Sequence, residues 1–417
     1  MGTGLEPPDF IVNPTGTLSH GTQPHQGIPS IAVSADGKRV FCAWYGGSVG
    51  ENSFNYAMMA SSEDQGNTWS DVKWVVRSPY CGQVRVFDPA LWRDPSGQIW
   101  FFWAQSGGGQ HWDRRGGVWA SVCADPSAKE VVWSPPRRLA DGLMMNKPIA
   151  LSTGRWLYPV GMVSKNPHIN DEKTLLEGVY CYASDDQGKT LTLLSRFQVP
   201  NPGFPEHMFV EKKNGDIWAL VRRNAANIVS AYDSKKGVLV VRSGVNSGIA
   251  EALSQDGGKT WGKVMISPIP SPTTRFYIGR LKSGNLLLVK NPAGDEGWLA
   301  KKKDNFLMEK CLRNRLLAYL SLDDGKTWKG PLELDERAEV SYPDANQDDA
   351  GTIFVCYDRE RTKEHEILCA RFTEADILEG KIVSSDSKLK ILVNKGTTDC
   401  SANIPPKAGA GALLGGL

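Results

Sequence analysis

Short apolar runs, rich in β-branched and aromatic residues, alternate with polar, glycine-bearing turns along almost the whole chain. Runs of that length and content predict strands rather than helices. Six of them are introduced in the same way, by a small or polar residue, a glycine and one further residue. The copies are "DGKRVFCAW" at Gly37, "SGQIWFFWA" at Gly97, "TGRWLYPVG" at Gly154, "NGDIWALVR" at Gly215, "SGNLLLVKN" at Gly284 and "AGTIFVCYD" at Gly351. Their spacings are 60, 57, 61, 69 and 67 residues. Each reads as a turn with a left-handed glycine feeding a strand, the usual hairpin signal. The best helical candidate is the short "TEADILEGK" at 373–381, with Thr373 as N-cap.

A second element falls between these copies. It is S-x-D-x-G-x-T-W, seen as "SEDQGNTW" from Ser62, "SQDGGKTW" from Ser254 and "SLDDGKTW" from Ser321. "SDDQGKTL" from Ser184 lacks only the tryptophan, and "CADPSAKEVVWS" is a blurred version in the second unit. Its mechanics are local: Asp and Ser or Thr side chains tie the turn backbone, Gly takes the strained position and Trp packs onto the sheet. This pattern resembles the Asp-box of the sialidase-type β-propellers. Six units in phase, each long enough for about four strands, predict an all-β, six-bladed β-propeller. A pair of β-sandwiches does not account for six in-phase turns. The expected organisation is an N-terminal extension at 1–19 closing onto the propeller, one propeller domain at 20–395, and a flexible Pro/Gly/Ala-rich tail at 396–417.

Composition narrows the function classes. A formal net charge of +2 offers no global field for nucleic acid or an anionic membrane. No window approaches a membrane span, and the N-terminus has neither the basic nor the apolar region of a signal peptide. Cys42, Cys123, Cys181, Cys356 and Cys369 sit in strand-like apolar runs and read as small core residues, which leans toward a reducing compartment. No spacing suggests zinc, and no cofactor is implied.

The resemblance to sialidases extends to single positions. In that family a nucleophilic Tyr lies nine residues before the turn Gly of the last blade, and a Glu seven beyond it. Here Tyr342 and Asp358 hold those places around Gly351. The family's partner Glu and an Arg flank another turn Gly by nine and seven, as Glu206 and Arg222 flank Gly215. A further family Arg precedes an Asp-box Ser by eight, as Arg313 precedes Ser321, and the acid/base carboxylate precedes the first Asp-box Ser by eleven, as Glu51 precedes Ser62. The chemistry gives a reason for these types. A sialic acid carries a carboxylate on its anomeric carbon, which repels an anionic nucleophile. A phenol whose proton passes to a neighbouring Glu avoids that repulsion. Arginine forks grip the carboxylate.

One departure stands out. Sialidases open with Arg-Ile-Pro, and here Gly27 precedes Ile28 and Pro29. Loss of one charge-assisted bond should weaken a sialic acid by more than about tenfold unless another cation enters. Asp358 loses its usual partner by the same change. Candidates to fill the gap are Arg85, Lys147, Arg275, His25, Gln26 and the loop "GGGQHWDRRGG" with His111 and Trp112, suited to stacking a sugar and binding an anion. His207, beside Glu206, should face the other way by strand alternation.

These residues imply an exo-acting glycoside hydrolase that removes a terminal acidic sugar: a sialic acid, a related ulosonic acid or a uronic acid. Tyr342 attacks, Glu206 takes its proton, Glu51 protonates the leaving group, and Arg222 and Arg313 hold the anion. The expected partner is a carbohydrate substrate, with no nucleic acid and no membrane span, and the oligomeric state is left open. Two rivals remain at the level of sequence. A uronate lyase, with Tyr342 or His111 moving the proton, would release an unsaturated product. A non-catalytic glycan-binding propeller would keep its binding when Tyr342 is replaced by Phe.

Overall fold

All six repeat glycines have positive φ, from +75° at Gly37 to +94° at Gly351, and each closes the hairpin between the innermost strand of a blade and the next strand outward. A computed structural model describes residues 4–19, 24–107, 116–162, 178–224, 229–233, 238–242, 247–292, 299–301 and 313–396. Its sheets form a six-bladed β-propeller.

Blade 1 runs outward through Gln26–Val33, Val40–Gly46, Tyr56–Ser62 and Trp74–Arg77, and Asp9–Val12 adds a fifth strand at its outer edge. Blade 2 comprises Val84–Arg93, Ile99–Gly107, Gly117–Cys123 and Arg137–Asp141. In blade 3 the innermost strand is broken into Leu143–Met144 and Ile149–Ala150, both paired to Trp156–Met162. Gly178–Ser184 and Thr192–Phe197 complete it. Blade 4 begins with Pro202–Glu211 and Ile217–Arg223, blade 5 with Tyr277–Arg280 and Leu286–Lys290, and blade 6 with Val340–Gln347 and Ile353–Arg359. A separate small sheet joins Val229–Asp233, Val238–Arg242 and Leu299–Lys301. It is built from insertions in blades 4 and 5, which explains the two longest repeat spacings.

Each Asp-box makes one set of bonds. In the first, Ser62 Oγ donates to Asp64 Oδ1 (2.7 Å), the Gly66 N–H donates back to Ser62 Oγ (2.8 Å), and the Thr68 N–H and hydroxyl both donate to Asp64. The same bonds recur in the copies from Ser184, Ser254 and Ser321. The copy without tryptophan therefore keeps the turn intact. The short helix, Glu374–Glu379, has Thr373 as N-cap in a capping box with Asp376.

The core is divided. Neighbouring blades cover both faces of the second strands, which are buried except at Arg359 and read as apolar runs that turn polar only at their ends. Separate apolar clusters fill the interfaces between adjacent blades, such as Trp44, Met58 and Phe354 between blades 1 and 6. Cys42, Cys123, Cys181, Cys356 and Cys369 are buried within this packing as free thiols.

Among the described residues blades 1 and 6 share no strand; the Asp349 N–H donates to the Ala35 carbonyl (2.9 Å) and the Gln26 N–H to the Arg361 carbonyl (3.3 Å), and side chains make the other polar ties. Asp344 accepts from the Ile31 N–H (2.9 Å) and from Ser30 Oγ, and Asn346 Oδ1 accepts from the Val33 N–H (3.0 Å). Lys147 Nζ pairs with Asp344 (2.8 Å) and donates to the carbonyls of Ile31 and Ala345. These are backbone groups of innermost strands, whose axial edge has no ladder partner.

Candidate active site

Three innermost strands carry the same irregularity. Ile28, Asp88 and Tyr342 each precede a proline, each has a positive φ (54°, 46° and 56°), and each lies at a break in strand register. Proline has no N–H for the ladder, and a bulge is where a sheet tolerates it. A non-glycine residue in this region costs roughly 1–3 kcal/mol, and such strain gathers at functional sites. The bulges bring Ile28, Phe87 and Tyr342 into one apolar cluster with Tyr45 and Leu143, which forms the floor of the site.

On that floor Tyr342 meets residues from two other blades. Its hydroxyl donates to Glu206 Oε1 (3.1 Å) and accepts from Arg222 Nη1 (2.9 Å), and Arg222 Nη1 also pairs with Glu206 Oε2 (2.8 Å). All three side chains are buried. Burial opposes the charge of Arg222, yet Glu206 and then Tyr342 outweigh it and raise its pKa further. Two more guanidinium carbons lie near the phenol ring, Arg313 at 5.1 Å and Arg275 at 5.8 Å from its centroid.

Glu51 stands at the rim, half-exposed, in the loop between the second and third strands of blade 1. It accepts from the Tyr45 hydroxyl (2.9 Å) and lies 3.4 Å from Arg85. Burial pushes its carboxyl up, but Arg85 and Arg361 prevail and hold it below its ordinary value. Arg85 is itself fixed by Asn55 and Tyr45 and stacks on Phe87 at 4.2 Å. Asp358, fully buried, accepts from the Ile28 N–H (2.8 Å) and from Ser341 Oγ (2.7 Å), tying together the bulges of blades 1 and 6.

Two groups escaped the sequence reading. Asp88, the bulge residue of blade 2, is buried, and its carboxyl is pushed up to about 7. Burial is the main cause, opposed by Arg85 and reinforced by Glu51 and Glu206. Its signal was present in "FDP", which matches "GIP" and "SYP" in placing one residue before a proline. Arg361 lies with its guanidinium carbon 3.9 Å from the Tyr342 ring centroid, and its Nε donates to Asp358 Oδ2 (2.7 Å). The sign of it was Asp358 itself, a carboxylate lacking its expected partner with an arginine three residues on.

Two expected site residues lie elsewhere. Gln26 is buried between blades 1 and 6, where it donates to the His365 carbonyl and to Asn394 and accepts from the Trp44 indole. Lys147 lines a different cavity, of about 310 Å³, with Trp92, Arg93, Glu211, Tyr277 and Arg280. That cavity sits where several innermost strands end, whereas the site sits where they begin, and Lys147 is spent on Asp344 and two carbonyls. His207 packs its ring against the carbonyls of Pro205 and Tyr180, facing away from the site as alternation requires. His111 and Trp112 fall outside the described residues.

Residues 38–355 match the sequence profile of the BNR repeat-like domain. The chain belongs to that family. No curated protein matches it in sequence. Among solved structures, this BNR repeat-like protein is similar to the Hadza microbial sialidase, at 17% identity and a TM-score of 0.57, over 82% of this chain and 65% of that one. The match therefore spans less than two thirds of that protein. It is similar also to the intramolecular trans-sialidase from Ruminococcus gnavus, solved with oseltamivir carboxylate, at 14% identity and a TM-score of 0.58, over 86% and 96% of the two chains. A protein of unknown function from Dyadobacter fermentans is alike to the same extent, at 16% identity and a TM-score of 0.57, over 86% and 96%. At these identities the likeness is one of fold.

Proposed function

We propose that this BNR repeat-like protein is an exo-acting glycoside hydrolase of the sialidase type, which removes a terminal acidic sugar through Tyr342. The observation that carries the reading is the buried triangle of Tyr342, Glu206 and Arg222. The phenol donates toward a carboxylate and accepts from a guanidinium, so a proton can leave along one bond while charge on the oxygen is stabilised along the other. Tyr342 attacks the anomeric carbon, Glu206 receives its proton, and water then releases the sugar from the phenol. Arg222, Arg313 and Arg275 grip the anionic group of the sugar.

Glu51 supplies the proton to the leaving group. Arg85 and Arg361 favour its ionised form in the free chain. A bound carboxylate shares those positive fields, which raises the carboxyl toward the value a proton donor needs. The test is a screen of aryl glycosides of sialic, deaminated sialic, Kdo and uronic acids with wild-type protein and Tyr342→Phe. One glycoside should be cleaved by the wild type and at least about a thousandfold more slowly by the variant. Cleavage of none, or equal rates, refutes the reading.

A further inference from the structure

The structure shows what occupies the place of the side chain absent at Gly27. A Cβ built on Gly27 would lie 2.7 Å from both Cδ and Nε of Arg361 and 2.8 Å from its Cγ, and these are the nearest atoms to it. Gly27 is not among the residues with left-handed φ, so its backbone does not itself demand glycine. The demand comes from a side chain rising out of blade 6.

That side chain is aimed. Asp358 holds Nε of Arg361, the guanidinium lies over the Tyr342 ring, and Nη1 is 3.8 Å from Glu51. Its Nη2 is buried and has no hydrogen-bond partner among the described residues. The same holds for Nε and Nη1 of Arg275, which is 1% exposed, and for Nε of Arg222. Buried guanidinium donors rarely go unpaired. Three cations that surround one phenol and keep spare donors form a receptor for an anion, and the planar forks suit a carboxylate.

We propose that Arg361 is the remaining arm of the anion clamp, delivered from blade 6 instead of blade 1, and that position 27 is glycine because Arg361 fills its space. The proposal rests on the acidic-sugar reading of the Tyr342 site and sharpens it. The cations ring the attacking phenol, so the carboxylate they hold is attached to the carbon under attack. The substrate class is then a glycoside of a 2-ulosonic acid, not of a uronic acid, and no affinity is forfeited through Gly27.

The test measures binding by calorimetry, with N-acetylneuraminic acid, its methyl ester and D-glucuronic acid as probes. Wild-type protein should prefer the acid to the ester by about tenfold or more and should prefer it to glucuronic acid. Arg361→Gly should abolish the acid-over-ester preference. Gly27→Arg added to Arg361→Gly should restore it, because each side chain then has the space the other vacates. Gly27→Arg alone should collide with Arg361 and lose the preference. If Arg361→Gly does not fold, Arg361→Lys keeps a cation beside Asp358 but not the fork, and must still lower the preference severalfold. An unchanged preference in the position-361 variants overturns the proposal, and so does a wild type without one. Acid preference without cleavage of any glycoside leaves the clamp standing and removes the hydrolase reading. Cleavage of a glycoside, with a preference indifferent to position 361, does the reverse.

Discussion

Removing Glu206 should expose how strongly the centre of the site is coupled. Its carboxylate is the counter-charge of Arg222, both are buried, and Tyr342 bonds to each. Glu206→Ala leaves a guanidinium in a dry setting with only a phenol for company. Breaking a buried pair from one side costs roughly 3–5 kcal/mol, because the orphaned charge stays behind. Arg222→Ala should cost a similar amount by orphaning the carboxylate. The double variant removes both charges, so its cost should fall short of the sum by roughly 2–3 kcal/mol. Tyr342→Phe leaves the ion pair intact and loses only bonds to charged partners, so its cost should stay within about 1.5–3 kcal/mol. The assay is equilibrium urea unfolding followed by tryptophan fluorescence, to which the 14 tryptophans of the chain give ample signal. Single costs that add to within about 0.5 kcal/mol would mean that Glu206 and Arg222 do not act as a unit, and the proton path drawn through them would fail with it.

Other consequences are open to measurement. Asp186, Asp256 and Asp323 are held at about 2 by the backbone and hydroxyl bonds of Thr190, Thr260 and Thr327. A depressed carboxyl contributes stability that is complete above about pH 4 and is lost as pH falls toward 2, so Asp256→Asn should flatten part of the acid limb of a stability–pH curve. Asp88 is shifted the opposite way, to about 7. The folded chain there keeps a proton that the unfolded chain has released, so stability declines as pH rises from about 4 to 7. The stability difference between wild type and Asp88→Asn should show that slope, and a flat difference would refute it. Asp344→Ala should strand Lys147 and cost roughly 3–5 kcal/mol, and adding Lys147→Met should recover a measurable part of the loss.

Most of the architecture was legible because the repeat is local. A turn glycine and an Asp-box are each set by contacts within a single hairpin, and the spacing that sialidases keep around the turn glycine picks out Tyr342, Glu206 and Arg222. Arg361 was missed for the opposite reason, since Asp358 signalled a missing partner without saying where that partner acts. Its meaning depends on Gly27, more than three hundred residues away in sequence and across the junction of the first and last blades. Lys147 was misplaced because "NKP" stands just before the turn of an innermost strand. The innermost strand of blade 3 is broken around it, however, and its long side chain runs to the other mouth of the axis. The sheet formed from Val229–Asp233, Val238–Arg242 and Leu299–Lys301 left no signal beyond two lengthened spacings, since its pairing joins insertions of different blades.

The junction between blades 1 and 6 has a bearing on how the protein would fail. A barrel with interlocked ends must tear strands apart to open, but here the two ends of the ring meet through an apolar seam, two backbone bonds and side chains that include Asp344, Asp358, Asn346 and Lys147. Gly27 and Tyr342 stand on opposite lips of that joint, with Asp358 clasping both sides. A small parting there would separate Ile28 from Asp358 and shift Tyr342 against Glu206 and Arg222 while every blade kept its strands. The joint is thus where the proposed site would come apart before the fold does.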